Sequence, residues 1–268
     1  MVKVAYIQFA PAFNDLKSTI KNLEPLFENV SNANLVVLPE LANSGYNFKN
    51  KEQAFQTAES TDSGIFTNFL VDKCKQHNFH IVSGINEVEN ARLFNSAILV
   101  NSDGCIGKYR KVHLFMNEKK YFQHGNEMPV FDLGFCKIGI LICFDHFFPE
   151  AWRILALKGA QIICHPSNLV TKLAFKTLPA QALMNKFFII TANRIGSEDD
   201  LTFTGKSSLI DPNGEIICQA SIDKEETKII EIDPNKANNK MITSMNDIFE
   251  DRKPEIYSGY LNSFGDYR

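Results

Sequence analysis

At 268 residues, 44% of them hydrophobic, the chain is long enough to bury a substantial core. A formal net charge of −3 and a pI near 6.1 give no electrostatic basis for nucleic acid or an anionic membrane as a partner. The six cysteines form no CxxC pair, which argues against both a disulfide framework and a zinc pattern. His77 and His80 near Cys74 make too incomplete a ligand set for a metal, so none is expected. No apolar run is long enough to span a bilayer, and the start MVKVAYIQFAP enters a strand pattern without signal-peptide features. The expected location is cytoplasmic.

Residues 3–9 (KVAYIQF) read as a buried strand, and residues 15–32 carry helical spacing with Leu16, Ile20, Leu23 and Phe27 on one face. Pro25 is a weak point in that helix. LVVL at 35–38 is a short buried strand ending in Pro39-Glu40. A helix plus strand follows over 64–85, then a hairpin over 94–110 turning at Ser102-Asp103-Gly104. The second half repeats this order. KIGILIC at 137–143 is a strand, Pro149 opens a helix that Gly159 closes, and QIICHPS at 161–167 is a strand. A helix plus strand over 176–193 and a hairpin over 203–220, turning at Asp211-Pro212-Asn213-Gly214, complete the parallel.

Two similar α/β halves can bury themselves by packing sheet on sheet beneath outer helices. The expected fold is therefore a four-layer α-β-β-α sandwich with an internal two-fold pseudo-repeat, forming a single domain over residues 1–268. The tail from about residue 235 to 268 has no counterpart in the repeat. It carries Ile256, Tyr257, Tyr260, Leu261 and Phe264, apolar enough to need burial on the domain or on a partner subunit. Residues 9–13 (FAPAF) contain no glycine, so a nucleotide-binding phosphate loop is excluded after the first strand.

Three ionisable residues stand just past predicted strand ends: Glu40, Lys111 and Cys143. Each alone has an ordinary reading, as a cap, a solvated charge and a buried hydrophobe. Their shared placement at sheet edges is where open α/β sheets put chemistry.

The surrounding motifs are Leu38-Pro39-Glu40 with Gly45-Tyr46, the run from Tyr109 to Phe115 (YRKVHLF), and Cys143-Phe144-Asp145 with Phe148-Pro149-Glu150. His165-Pro166-Ser167-Asn168, Asn193-Arg194 and Gly205 with the Asp211–Gly214 turn accompany them. With these motifs in this order, the chain strongly resembles the nitrilase superfamily, the carbon–nitrogen hydrolases with a Glu-Lys-Cys triad. The resemblance runs from Val4 to about Tyr257. It implies Glu40 as general base, Lys111 as electrostatic stabiliser and Cys143 as nucleophile, with Glu118 matching a second glutamate that positions substrate and lysine. It further implies no cofactor and a homodimer or larger assembly.

The chemistry can be followed from the residues. A thiol in an apolar strand has its thiolate disfavoured by desolvation. Glu40 taking the proton and Lys111 holding developing negative charge would overcome that penalty, so that an activated Cys143 would titrate below an ordinary thiol. The backbone N–H of Phe144 would be a second oxyanion donor. Members of the resembled family that act on carboxylate-bearing carbamoyl or ω-amide substrates carry an arginine shortly after the Cys-x-Asp; none lies between Asp145 and Pro149 here, so the resemblance implies a small, neutral amide or nitrile instead. Arg110 or Arg194 folding into the pocket would reverse that preference. Tyr46, Phe147 and Asn168 are the expected pocket lining. A non-catalytic interaction module on the same scaffold is the competing class.

Overall fold

In the first strand, β1 (Val2–Gln8), Val4 and Tyr6 point to one side and Ala5 and Ile7 to the other, and both sides are buried. That two-residue period makes a strand covered on each face, and it recurs through the computed structural model, which describes residues 1–261. The first half continues with α1 (Leu16–Glu28), β2 (Leu35–Val37), α2 (Lys51–Gln56), α3 (Ile65–His77), β3 (His80–Glu89), β4 (Arg92–Asn101), β5 (Gly104–Arg110) and the single-turn α4 (Glu118–Tyr121). The second half runs β6 (Val130–Asp132), β7 (Lys137–Ile140), α5 (Pro149–Leu157), β8 (Ile162–Ser167), α6 (Ala174–Asn185) and β9 (Phe188–Asn193). A small ribbon, β10 (Ser197–Glu198) with β11 (Leu201–Thr202), precedes β12 (Ser208–Ile210), β13 (Ile216–Gln219) and β14 (Glu226–Ile232).

Two six-stranded sheets result, ordered β14-β1-β2-β3-β4-β5 and β13-β12-β9-β8-β7-β6. Each has three parallel strands, a meander on one side and one antiparallel strand on the other. The pseudo-repeat therefore holds strand for strand. Val4, Tyr6, Leu35, Val37, Val82 and Leu99 of the first sheet meet Ile138, Ile140, Ile162 and Ile190 of the second in one apolar layer. On the outside of the first sheet, Leu23, Phe27, Phe66 and Leu70 of α1 and α3 cover Ala5, Ile7, Val36 and Ile81. Trp152, Leu155, Leu178 and Ala182 of α5 and α6 join the core on the second sheet. The four-layer sandwich expected from the sequence is the observed fold.

Some boundaries differ. The helix expected to reach residue 32 ends at Glu28, capped at its start by Asp15, whose side chain accepts from the Ser18 N–H. Pro25 is tolerated inside it because its face is exposed while Leu23 and Phe27 anchor the opposite face. The strand expected to run to Cys143 stops at Ile140, since the Ile142 N–H turns away to Asp145 Oδ2 at 2.8 Å. The outer strands β6 and β14 have no counterpart in the sequence-based expectation.

In the tail, Phe249 sits between the Arg153 guanidinium and the Lys240 ammonium, 5.1 and 4.7 Å from its ring. Ile256 and Tyr257 are exposed rather than buried, on the helix Pro254–Leu261. The side chains of Tyr260, Leu261 and Phe264 lie outside the described residues.

Candidate active site

Strand ends deliver the candidate residues. Glu40 comes three residues after β2, Lys111 directly after β5, Cys143 three residues after β7 and Asn168 directly after β8. Gly84 in β3 makes room for the first of these. A Cβ there would stand 2.4 Å from Glu40 Cα, and the Gly84 N–H instead donates to Pro39 O at 3.0 Å.

Lys111 is the hub. Its Nζ donates to Glu40 Oε1 at 2.7 Å and to Glu118 Oε1 at 2.9 Å, and all three side chains are buried. Burial acts to lower the lysine's pKa, but the adjacent Glu118 and Glu40 carboxylates outweigh it and hold the ammonium charged well into the alkaline range. The Asn95 amide donates to Glu40 Oε1 at 2.7 Å and reaches Glu118 Oε2 at 3.5 Å, tying the two acids together. Glu118 also accepts from the Tyr46 hydroxyl at 2.7 Å. Burial raises the Glu118 pKa, and Lys111 opposes the rise. Glu40 Oε2 is buried without a hydrogen-bond partner among the described residues.

Cys143 opens a tight 3₁₀ turn, Cys143–Phe147, with φ +44°, a left-handed conformation uncommon for a residue with a Cβ. Asp145 braces this turn. Its carboxylate accepts from the Ile142 N–H (2.8 Å), the Tyr109 hydroxyl (2.8 Å), the His113 N–H (3.2 Å) and the His113 ring Nδ1 (2.7 Å). Trp152 Nε1 donates to the Asp145 carbonyl at 3.0 Å, and the His113 ring stacks on Phe148 at 3.5 Å. His165 Nε2 donates to the Cys143 carbonyl at 3.1 Å, since a carbonyl oxygen can only accept, and burial keeps this imidazole neutral with its pKa pushed down to about 3.

The sulfur is buried within the field of Glu40, Lys111 and Glu118, so the three predicted residues and Glu118 meet in one place. Its titration departs from the sequence-based expectation. Burial and then the Glu40 charge push the thiol pKa well above its ordinary value; Lys111 and the Asn168 backbone N–H only partly counter them.

The Phe144 N–H, in the first turn after Cys143, has no acceptor among the described residues. Of the expected pocket lining, Tyr46 reaches the cluster through its hydroxyl. Asn168 is buried beside Cys143 with both side-chain polar atoms unpartnered among the described residues. Phe147 is 43% exposed, with its ring against those of Phe144 and His146, and makes no contact with the Glu40–Lys111–Glu118 cluster among the described hydrogen bonds and ring pairs. A cavity of about 70 Å³ borders Tyr46 and Glu118, walled by Phe48, Phe115, Tyr121 and Phe122. Both arginines are engaged elsewhere. Arg110 pairs with Glu87 and Glu89 and stacks on Phe94, while Arg194 pairs with Glu198 and stacks on Phe203.

The profile of the carbon-nitrogen hydrolase family matches residues 3–239. The chain belongs to the carbon–nitrogen hydrolase family. It is 46% identical over 260 residues to a nitrilase of Pyrococcus abyssi, covering 96% of this chain and 99% of that protein. An (R)-stereoselective amidase of Pseudomonas sp. is 30% identical over 240 residues, covering 87% and 85%. The crystal structure of an amidase from Nesterenkonia sp. superposes with a TM-score of 0.81 at 22% identity, covering 97% of this chain and 96% of that one, which shows the shared fold.

Several residues of this carbon–nitrogen hydrolase site escape sequence reasoning. Asn95 is one of two adjacent polar residues in a strand buried along its interior, and nothing local marks it as the partner of Glu40. Asp145 and Tyr109 fall inside quoted motifs, yet their bracing contact spans the two halves of the chain. Among the described residues no cluster of three or more histidine, cysteine or acidic side chains could hold a metal ion, and no helix is long and apolar enough to cross a membrane.

Proposed function

We propose that the chain hydrolyses the carbon–nitrogen bond of a small, neutral amide or nitrile through a thioester on Cys143. One observation carries the assignment of roles: Lys111 and Asn95 both hold Glu40 Oε1, which leaves Oε2 as the buried carboxylate oxygen able to exchange a proton. In this reading Cys143 Sγ attacks the substrate carbon while its proton passes to Glu40. The negative charge on the substrate oxygen or nitrogen is met by the Lys111 ammonium and the Phe144 N–H. Glu40 returns the proton to the departing nitrogen, giving ammonia or an amine and the Cys143 thioester. A nitrile instead gives a thioimidate, whose addition of water precedes loss of ammonia. Glu40 then takes a proton from a water that attacks the thioester, releasing the acid and restoring the thiol. Glu118 holds Lys111 in place, and no cofactor enters the scheme.

A neutral substrate is supported by the pairing of both candidate arginines, which leaves neither to receive a carboxylate. The unpartnered Asn168 amide offers one donor and one acceptor of the kind a carboxamide needs. The test is ammonia release from a panel of small amides and nitriles, with intact-mass detection of the acyl-enzyme. Turnover that survives in Cys143→Ala, or an adduct on another residue, overturns the proposal.

Residues 1–268 are proposed to act as one domain and in the cytoplasm, a reducing compartment consistent with six free cysteines. The exposed Ile154, Leu157 and Met184 of α5 and α6, which line one surface groove with Tyr257, support self-association as a homodimer. Light scattering gives the order directly; a monomer across the concentration range would reject it.

A further inference from the structure

A second buried ion pair stands behind the first. Arg194 and Glu198 are both almost fully buried and bonded to each other, with the Arg194 guanidinium 4.0 Å from the centre of the Phe203 ring. The other carboxylate oxygen of Glu198 accepts two successive backbone N–H groups, from Tyr46 at 2.9 Å and Asn47 at 2.7 Å. The Asn47 side chain returns a bond to the Glu198 carbonyl at 3.1 Å. The approach leaves no room for a Cβ at Gly45, which has φ +81° and where such an atom would lie 2.6 Å from Glu198 Oε1. From this pinned backbone the Tyr46 side chain, edge-on to Phe203, reaches Glu118 with its hydroxyl.

We infer that Glu198, held by Arg194, is a positioning residue: it fixes the Tyr46–Asn47 backbone so that the Tyr46 hydroxyl holds the Glu118 carboxylate against Lys111. The chain of contacts is continuous, running from Glu198 to Tyr46 N, from Tyr46 OH to Glu118 Oε1 and from Glu118 Oε1 to Lys111 Nζ. It rests on the catalytic reading above, in which Lys111 faces the developing negative charge. Glu118 is the joint at which an error would be felt. One of its oxygens receives both the hydroxyl and the ammonium, and it is faced by Lys111, Glu40, Tyr46 and Asn95. A hydrogen bond to the ionised carboxylate favours that form, so losing the Tyr46 bond moves Glu118 towards protonation and slackens its hold on Lys111.

The test is a double-mutant cycle on Tyr46→Phe and Glu198→Gln, read as kcat, KM and the acid limb of the pH profile for ammonia release from small neutral amides and nitriles. Each single variant is expected to lower kcat by about tenfold or more with KM little changed, as for loss of a hydrogen bond to a charged group, and to move the acid limb to higher pH. The double variant should fall within about twofold of the weaker single variant, because both changes cut the same chain. Should the orphaned Arg194 prevent Glu198→Gln from folding, Arg194→Gln with Glu198→Gln removes both buried charges and takes its place in the cycle. Losses that multiply in the double variant, or a Glu198 variant with unchanged kcat and pH limb, overturn the positioning role and leave the thioester mechanism standing. A wild-type protein inactive on the whole panel, or an active Cys143→Ala, defeats the mechanism and the positioning role together.

Discussion

Glu40 and Lys111 face each other across 2.7 Å with no solvent contact on either side chain. A pair so enclosed is costly to form and far costlier to break, because removing one partner leaves the other charge uncompensated. Lys111 also neutralises Glu118, so the two ends of the pair are not equivalent.

Lys111→Met should therefore do more damage to the fold than Glu40→Gln. The methionine leaves two buried carboxylates without a counter-charge, and the expected cost is about 3–5 kcal/mol. Glutamine keeps an oxygen for Lys111 and should fold with a near-normal melting temperature, while turnover falls by roughly a thousandfold with the loss of general acid–base chemistry. Melting temperatures in the reverse order would contradict the geometry.

The same substitution separates thiol reactivity from catalysis. Burial and the Glu40 charge, in that order, hold the Cys143 thiol above its ordinary range. Removing the negative neighbour favours the thiolate, so Glu40→Gln should lower the pH midpoint for alkylation by iodoacetamide, followed on the Cys143 peptide by mass spectrometry. A variant that is easier to alkylate yet unable to turn over is the expected result. An unchanged or raised midpoint argues against Glu40 acting at the sulfur.

Acid should unfold the protein in a window set by two histidines. Burial keeps His146 and His165 neutral, with pKa values pushed down to about 4 and about 3. Both folded-state values lie below the unfolded one, so the unfolded chain binds more protons as pH falls below about 6.5. The stability is fully present above that pH and declines towards about pH 4 for His146 and about pH 3 for His165, by at most roughly 1.4 kcal/mol per pH unit for each histidine. Urea midpoints across that range should fall in the wild type and fall less in His165→Gln. Parallel slopes would show that His165 is not a source.

Asp145→Asn is expected to loosen the turn that presents the nucleophile. The carboxylate accepts at four contacts, and an amide would turn an N–H towards groups that are themselves donors. The predicted loss is about 2–4 kcal/mol of stability, with kcat reduced at least tenfold. A variant of normal stability and activity would show that the turn holds its shape unaided.

Much of this arrangement is legible in the sequence because strand ends leave local marks. The apolar runs before Glu40 and Cys143, and the hairpin before Lys111, locate three sheet edges. The repeated order of elements then predicts that the sheets pack face to face. Contacts between distant segments leave no such mark. Asn95 reaches Glu40 from the middle of β4, and Glu198 reaches the Tyr46 backbone from a two-residue strand, so neither has a local pattern that discloses its partner. The strands β6 and β14 were missed because their pairing depends on a neighbour already in place, not on any alternation of their own. The sign of the Cys143 pKa shift is likewise not legible, because it depends on how completely the site is enclosed, and composition near Cys143 does not reveal that.

β1 has β14 as its outer neighbour, pairing Val2 with Ile232 and Gln8 with Glu226. During translation the first sheet is thus left with a bare flank until residue 232 has emerged from the ribosome. That row of unsatisfied backbone groups is where a nascent chain is most open to capture by a chaperone or by another unfinished copy. Truncation ahead of residue 226 makes the exposure permanent.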